Sequence, residues 1–235
     1  MLAEQERIQS FFNSIAGRYD LMNNLVSFGR HHSWRRFLVR EAISETVSRG
    51  CGKYLDVCCG TGMITVDLAN RVGQAGEVIG LDFSGEMLAI ARKTPTWFGN
   101  VSFIYGNALE LPFPDNTFDC VTTGYGLRNV GALPRFLAEM KRVAKPGGRV
   151  ISLELAKPYL AGFKQIYQLY LNFWVPLIGQ ILARNRAAYQ YLRDSVVNYP
   201  HQREVTKIFR EVGFEDVKCY ELTWGVAAVH VGRKK

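Results

Sequence analysis

Five cysteines, Cys51, Cys58, Cys59, Cys120 and Cys219, are all that a chain of 235 residues carries. They have neither the paired spacing of a metal site nor the density of a secreted disulfide scaffold, which points to a reducing cytoplasm and no metal. No stretch approaches the ~18 uninterrupted apolar residues of a membrane span. The opening MLAEQERIQSFF holds acidic residues and lacks the apolar centre of a secretory signal. Low-complexity blocks are absent, so the whole chain is expected to fold. Acidic residues are the scarcer charge, 21 Asp and Glu against 29 Lys and Arg, a net charge of +8. That balance suits phosphate-rich nucleic acid, an anionic membrane surface or simply a solvated face. Much of it sits in Arg30, Arg35, Arg36 and Arg40 on one expected helix and in the tail Arg233, Lys234 and Lys235.

What is present is a rhythm. Residues 4–17 and 30–48 read as helices, with Gly50 as a stop signal and the loop YDLMNNLVSFG between them. From Lys53 onward, strand-like runs alternate with helical ones: YLDV, MITVDLANRV, EVIGLD, GEMLAIARK, VSFIYGN, FDCVTTGY and LPRFLAEMKRVA. A turn, KPGG, then leads into the strand RVISLEL. Such alternation is the sequence form of a parallel sheet with crossover helices. After the helix REVTKIFREV, the runs VKCYELTW and VAAVHVG meet across Gly225 as a hairpin. The expected fold is α/β, a doubly wound seven-stranded sheet with one reversed strand. Residues 157–199 break the alternation and are rich in aromatics, including Tyr159, Phe163, Tyr167, Tyr170, Phe173, Trp174, Tyr189, Tyr191 and Tyr199. They read as a helical insertion, either packed against the sheet or forming a lid over a large apolar ligand.

The chemistry gathers at strand ends. In Leu55-Asp56-Val57-Cys58-Cys59-Gly60-Thr61-Gly62, two glycines follow the first strand, where the chain turns tightly and a ligand can approach its backbone. This is an ordinary strand-to-helix turn or part of a dinucleotide fingerprint, although Thr65 stands where the third glycine would be. Asp82 ends the second strand beside that turn, placed to accept both hydroxyls of a ribose or else to cap the next helix. Gly106-Asn107-Ala108 follows the third strand, and the proline-bearing LPFPDNTFD makes a rigid loop over the same edge. Arg128 and Asn129 follow the fourth strand and face the same crevice, or else serve as an ion-pair partner and a helix cap. His31 and His32 begin a helix, where capping is the commoner role.

YLDVCCGTG, GLDFS, GNALELPFPDNTFD and KPGG, in this order, resemble the motifs of class I S-adenosylmethionine methyltransferases. YDLMNNLVSFGRHHSWRR, PFPDNTFD, YGLRNV, AKPGGR and YQYLRDSV more narrowly resemble the menaquinone and ubiquinone C-methyltransferase family, over nearly the whole chain. The resemblance implies a Rossmann-like fold and S-adenosylmethionine as methyl donor. Thr61 and Asp82 would then contact its methionine and ribose, with Asp56, Gly60 and Gly62 in the turn and Phe83 beside Asp82. Asn107 and Ala108 would take the adenine side and Gly124 the sulfonium, while Tyr19 and Asp20 close over the cofactor. Met63 and Cys58-Cys59 depart from the family pattern.

The implied acceptor is a prenylated quinol, and FNSIAGRYDLMNNLVSFG resembles the bacterial menaquinone enzymes, which implies demethylmenaquinol; a benzoquinol or another lipid phenol is the alternative. A quinol ring carbon becomes nucleophilic when the neighbouring hydroxyl loses its proton. Arg128 is therefore assigned to stabilise the phenolate, with Asn129, Asp20 or a histidine such as His31 or His32 completing the relay. A single domain is expected: an N-terminal helical cap (1–50), a cofactor-binding core (51–156), the insertion or lid (157–199) and a C-terminal helix and hairpin (200–235). A prenyl tail calls for a greasy channel and a membrane surface, so a cytoplasmic enzyme peripheral to the membrane, with room for a homodimer, is expected. Nucleic acid is not an expected partner, because no Asn/Asp-Pro-Pro-aromatic motif follows the fourth strand and no separate RNA-binding module is present.

Overall fold

Strands whose residues are apolar on both faces are buried by helices on both faces, and the sheet here follows that rule. The computed structural model describes residues 2–44, 52–174 and 186–235. Gly50, Cys51, the expected helix end at 45–48 and positions 175–185 of the insertion lie outside the described residues, as does the side chain of Tyr189. Strands β1 (Lys53–Val57), β2 (Glu77–Asp82), β3 (Val101–Tyr105), β4 (Phe118–Gly124), β5 (Ala144–Leu155), β6 (Glu215–Leu222) and β7 (Ala227–Arg233) form one sheet in the order β3-β2-β1-β4-β5-β7-β6. β1 to β5 are parallel, and β7 alone runs antiparallel to both its neighbours. The alternation and the terminal hairpin read from the sequence are thus the observed architecture.

Pleating sends successive side chains to opposite faces. Leu55 and Val57 of β1 pack with Phe136, Leu137 and Met140 of α6 (Leu133–Val143) and with Val205 and Phe209 of α9 (Gln202–Glu211). Tyr54, from the same strand, packs on the other face with Trp34 and Leu38 of α3 (Arg30–Ile43) and Leu68 of α4 (Met63–Val72). α5 (Gly85–Ala91) completes the crossover between β2 and β3.

The N-terminal region differs from its sequence reading. Residues 19–29 are expected as a loop, yet Tyr19–Val26 form a helix, α2, after α1 (Leu2–Ile15) and one 3₁₀ turn. Two asparagines make this segment a weak helix former, so tertiary packing sustains it. Met22 is buried in a third cluster with Ile15, Ala16 and Met87, joined there by Tyr167 and Leu171 of the insertion. After Val26 the chain turns through Phe28 (φ +49°) and Gly29 (φ +73°), and α3 starts at once.

The insertion is helical where described: α7 (Ala161–Leu169), continued by a π-helical turn over Tyr170–Trp174, and α8 (Arg186–Asn198). KPGG lies within β5, where pairing jumps from Phe118↔Ala144 to Cys120↔Arg149 and the extra residues bulge outward through Gly147. The basic tail is a clasp: Lys234 Nζ donates to the carbonyls of Arg142 and Ala144 at 3.0 and 2.8 Å and to Asn116 Oδ1 at 2.8 Å. Arg233 donates to the Gly147 carbonyl at 2.9 Å, and Lys235 lies 3.6 Å from Glu215. On α3, Arg35 pairs with Asp67 at 2.5 Å, leaving Arg30, Arg36 and Arg40 exposed.

Phe136 is fully buried between α6 and the sheet. Phe136→Ala is expected to lose about 3–5 kcal/mol of folding stability, read from the shift of the urea unfolding midpoint.

Candidate functional site

Strand order reverses between β1 and β4, the place where an open α/β sheet leaves a crevice at its carboxyl edge. A cavity of about 270 Å³ lies there, close to the lower end of the roughly 300–1,000 Å³ usual for small-molecule sites. Gly60 lies on one side with φ +55°, and a Cβ added to it would meet no atom within 4 Å, so the backbone is left bare over open space. Asp82, 6% exposed, stands beside it. Its carboxylate accepts the Gly60 N–H through Oδ2 and the Ser84 N–H through Oδ1, each at 2.8 Å. A carboxylate has about four lone-pair sites, and with the Phe83 N–H also bonding to it only part of that capacity remains for a ligand. Burial raises its pKa, against the backbone donors that favour the charged form.

Among the other residues singled out in the sequence, Phe83, Asn107 and Ala108 line one wall, Gly124 lines the β4 end, and Tyr19 and Asn129 also face the cavity. Asn107 Oδ1 is occupied by the N–H of Leu109 at 3.0 Å, which leaves the amide nitrogen for a ligand. Five candidates do not reach the lining: Asp20, Asp56, Thr61, Gly62 and Arg128. Thr61 donates from Oγ1 to Asp20 Oδ1 at 2.8 Å and so ties the glycine turn to α2. Gly62 caps α4 with φ +80°, where a Cβ would come within 2.9 Å of Phe103. Asp56 sits on the α4 side of β1, accepting from Thr65 at 2.7 Å and from Thr122 at 3.0 Å. Burial pushes its carboxyl up to about 7, opposed by those two hydroxyls.

Arg128 is held on the 3₁₀ turn Leu127–Asn129. Its guanidinium is buried in an ion pair with Glu154, whose carboxylate also accepts the Arg128 N–H at 3.2 Å and the Leu155 N–H at 2.8 Å. Burial works against the arginine's charge, yet Glu154 raises its pKa above the ordinary value. Arg128 Nε and Tyr125 Oη are buried with no hydrogen-bond partner among the described residues. Asn129 donates to the Tyr125 carbonyl and accepts from Tyr191 Oη, both at 2.9 Å, which joins this turn to the insertion. His31 and His32 are absent from the lining; His31 Nδ1 is 2.7 Å from Ser27 Oγ, and burial lowers its pKa to about 4.

Several contributors carry no signal in the sequence. Glu154 is a lone carboxylate near the end of an apolar strand, and that contrast is the only cue to it. Gln9 of α1 lies across the cavity and donates to the Phe83 carbonyl at 2.5 Å and to Tyr105 Oη at 3.0 Å. Ser84 donates to Asn13 Oδ1 of the same helix at 2.6 Å. Cys58, with φ +59°, lines the cavity as a thiol whose pKa burial raises, so it stays protonated.

Sheet order and switch-point cavity define a class, the Rossmann-like methyltransferase fold. Among solved structures, a SAM-dependent methyltransferase from Thermotoga maritima is similar with a TM-score of 0.64 at 21% identity, covering 96% of this chain and 99% of that one. Another from Aquifex aeolicus gives a TM-score of 0.56 at 20% identity, covering 78% and 82%. The chain itself belongs to the ubiE/COQ5 methyltransferase family, which it matches over residues 1–234. Its relatives include a protein of Geobacillus kaustophilus named demethylmenaquinone methyltransferase, 45% identical over 99% of both chains. A protein of the same name from Staphylococcus saprophyticus is 41% identical over 99% of this chain and 98% of its own.

Because the folded-state pKa of Asp56 lies above its ordinary carboxylate value, the folded protein binds the proton more tightly than the unfolded chain. Stability from this group is therefore full at acid pH and declines as pH rises from the ordinary value, 3.8, to about 7. Asp56→Asn is expected to flatten that decline, measured as urea midpoints at both ends of the window.

Proposed function

We propose that the protein transfers a methyl group from S-adenosylmethionine to a ring carbon of a prenylated quinol, with demethylmenaquinol as the substrate. The observation that carries this reading is the join, at one cavity, of a carboxylate-and-glycine cradle with the Tyr125–Asn129 turn that holds a buried arginine. Full-length relatives named demethylmenaquinone methyltransferase support the choice of acceptor.

The cradle suits the donor. Asp82 keeps lone pairs for a ribose diol, and the bare backbone at Gly60 leaves room for the ligand. Phe83, Ala108 and Leu109 offer apolar surface for an adenine ring, and the Asn107 amide nitrogen can meet its edge. Gly124 takes the sulfonium side, Tyr19 covers it, and Thr61, Gly62 and Asp56 shape the turn without touching the ligand. S-adenosylmethionine, when bound, supplies an electrophilic methyl group on a positively charged sulfur. No group of three or more His, Cys, Asp or Glu among the described residues could hold a metal ion.

The residues' task is to make the ring carbon nucleophilic. Arginine stays protonated and is no base, so Arg128, whose buried guanidinium lies behind the Tyr125–Asn129 wall of the cavity, stabilises the phenolate by its positive charge. Asn129 orients the ring from the cavity wall. Asp20, tied to the glycine turn by the hydroxyl of Thr61, stands behind the lining and takes up the hydroxyl proton by way of water. Transfer then depends chiefly on positioning; the methylated ring carbon would lose its own hydrogen as a proton, restoring the aromatic quinol, and the donor would leave as the neutral thioether S-adenosylhomocysteine. A prenyl tail needs an apolar route and a membrane surface to leave from, so the enzyme works from the cytoplasmic face as a peripheral protein. No helix among the described residues is long and apolar enough to cross a membrane. The family's benzoquinol chemistry is the competing acceptor, and a homodimer is compatible with this arrangement.

Purified protein is expected to move label from methyl-labelled S-adenosylmethionine into reduced demethylmenaquinone and not into a demethylated benzoquinol. Donor binding without label in either lipid removes the quinol reading. Hydrogen bonds to charged groups contribute about 1.5–3 kcal/mol, so Asp82→Ala is expected to weaken donor binding about 10- to 100-fold by calorimetry. Arg128→Lys is expected to leave donor binding near normal and lower kcat about 100-fold or more. Turnover at the unaltered rate excludes Arg128 from charge stabilisation.

A further inference from the structure

A helix that is apolar on its inward side ordinarily turns polar groups to water. The segment over residues 161–174 turns Lys164, Gln165, Gln168 and Asn172 to water but exposes large apolar side chains beside them. Its inward residues Tyr167 and Leu171 are buried in the cluster that holds α1 and α2, while Ile166, Leu169 and Phe173 are 62%, 58% and 70% exposed. The outward three follow a spacing of three and four residues, which sets them on one face.

A second exposed apolar group adjoins it. At the α2–α3 corner Phe28 is 70% exposed, and Leu21, in the first turn of α2, is 55% exposed. Phe28 has φ +49°, a left-handed conformation that costs a bulky side chain strain and is retained only where the surroundings enforce it. The corner and the insertion share one surface, because the Phe28 and Tyr170 rings are 5.9 Å apart and Tyr170 Oη donates to the Val26 carbonyl.

Charge says what covers this surface. Residues 157–174 contain no acidic residue, and neither do residues 21–40. Arg30 follows the Phe28–Gly29 turn directly, and Lys164 precedes Ile166 by two positions; both are exposed. Arg36 and Arg40 add exposed cations along α3. Exposed aromatic and aliphatic side chains rimmed by Arg and Lys match the interface of an anionic bilayer, which takes up apolar side chains at headgroup depth and attracts each nearby cation.

We propose that this combined face, Leu21 and Phe28 with Ile166, Leu169 and Phe173, inserts into an anionic membrane surface. The inference rests on the quinol reading for its purpose, since it sets the bilayer against the outer side of the cluster that contains Tyr19, a residue of the cavity.

The test uses the full chain and cosedimentation with phosphatidylcholine vesicles, with and without phosphatidylglycerol. The double variant Phe28→Asn, Phe173→Gln alters only the exposed face; asparagine tolerates a positive φ and glutamine suits a helix. Wild-type protein is expected to bind the anionic vesicles and to be released by salt, and the double variant to bind about tenfold or more weakly. Methylation of quinol held in vesicles should fall in parallel, while methylation of quinol in detergent micelles stays at the wild-type rate. Equal vesicle binding by variant and wild type overturns the assignment. So does a wild-type dimer that binds no vesicles and that the double variant splits, because a second copy is then the cover. Vesicle binding is read without catalysis, so wild-type binding with no label in any quinol defeats the substrate reading alone.

Discussion

A carboxylate taken out of water must be given donors, and Asp82 draws its donors from two separate loops. Gly60 supplies one N–H and Ser84 another, so the turn after β1 and the turn after β2 are fixed to one side chain. What surrounds the cavity follows from there. Beyond Gly60, Thr61 reaches Asp20 and sets α2. Ser84 caps α5 through the Met87 N–H and holds α1 through Asn13. Floor and roof are thus referred to a single buried charge, which also retains the lone pairs that a ribose would use.

The parts of this arrangement that are periodic were readable in the chain. β1 to β5, their crossover helices and the hairpin across Gly225 each declare themselves through apolar runs and turn residues, because sheet burial imposes those patterns locally. The cavity lining is legible where a strand end coincides with a small or acidic residue, as at Gly60, Asp82 and Asn107, while Gly124 follows from the family resemblance alone. Asp56 stands four positions before Gly60 and was placed with the ligand, but pleating turns it to the α4 side, where Thr65 and Thr122 take it up. Tyr19 to Val26 lack a strong helical signal of their own, since their helix exists through contacts with Ile15, Tyr167 and Leu171. Glu154 could not be assigned to Arg128 from sequence, as 26 residues separate them and only the adjacency of β4 and β5 brings them together.

Two kinds of chain meet at the site. The cradle comes from the sheet core, where the likeness to distant methyltransferase structures is a likeness of fold. α1, α2 and the described parts of the insertion meet beside it in one apolar cluster, although some 150 positions separate Ile15 from Tyr167. Tyr191, bonded to Asn129, links the insertion to the turn carrying Arg128.

The roof helix has a consequence for assembly. α1 is synthesised before its polar anchors, Phe83, Ser84 and Tyr105, which lie 74, 71 and 96 residues away from the α1 side chains that bind them. Contacts of such separation form late, after the loop-closure cost of the intervening chain has been met. A short helix has little stability before then. The nascent chain consequently completes β2, α5 and β3 first, and the binding cavity receives its roof only once the sheet edge beneath it exists.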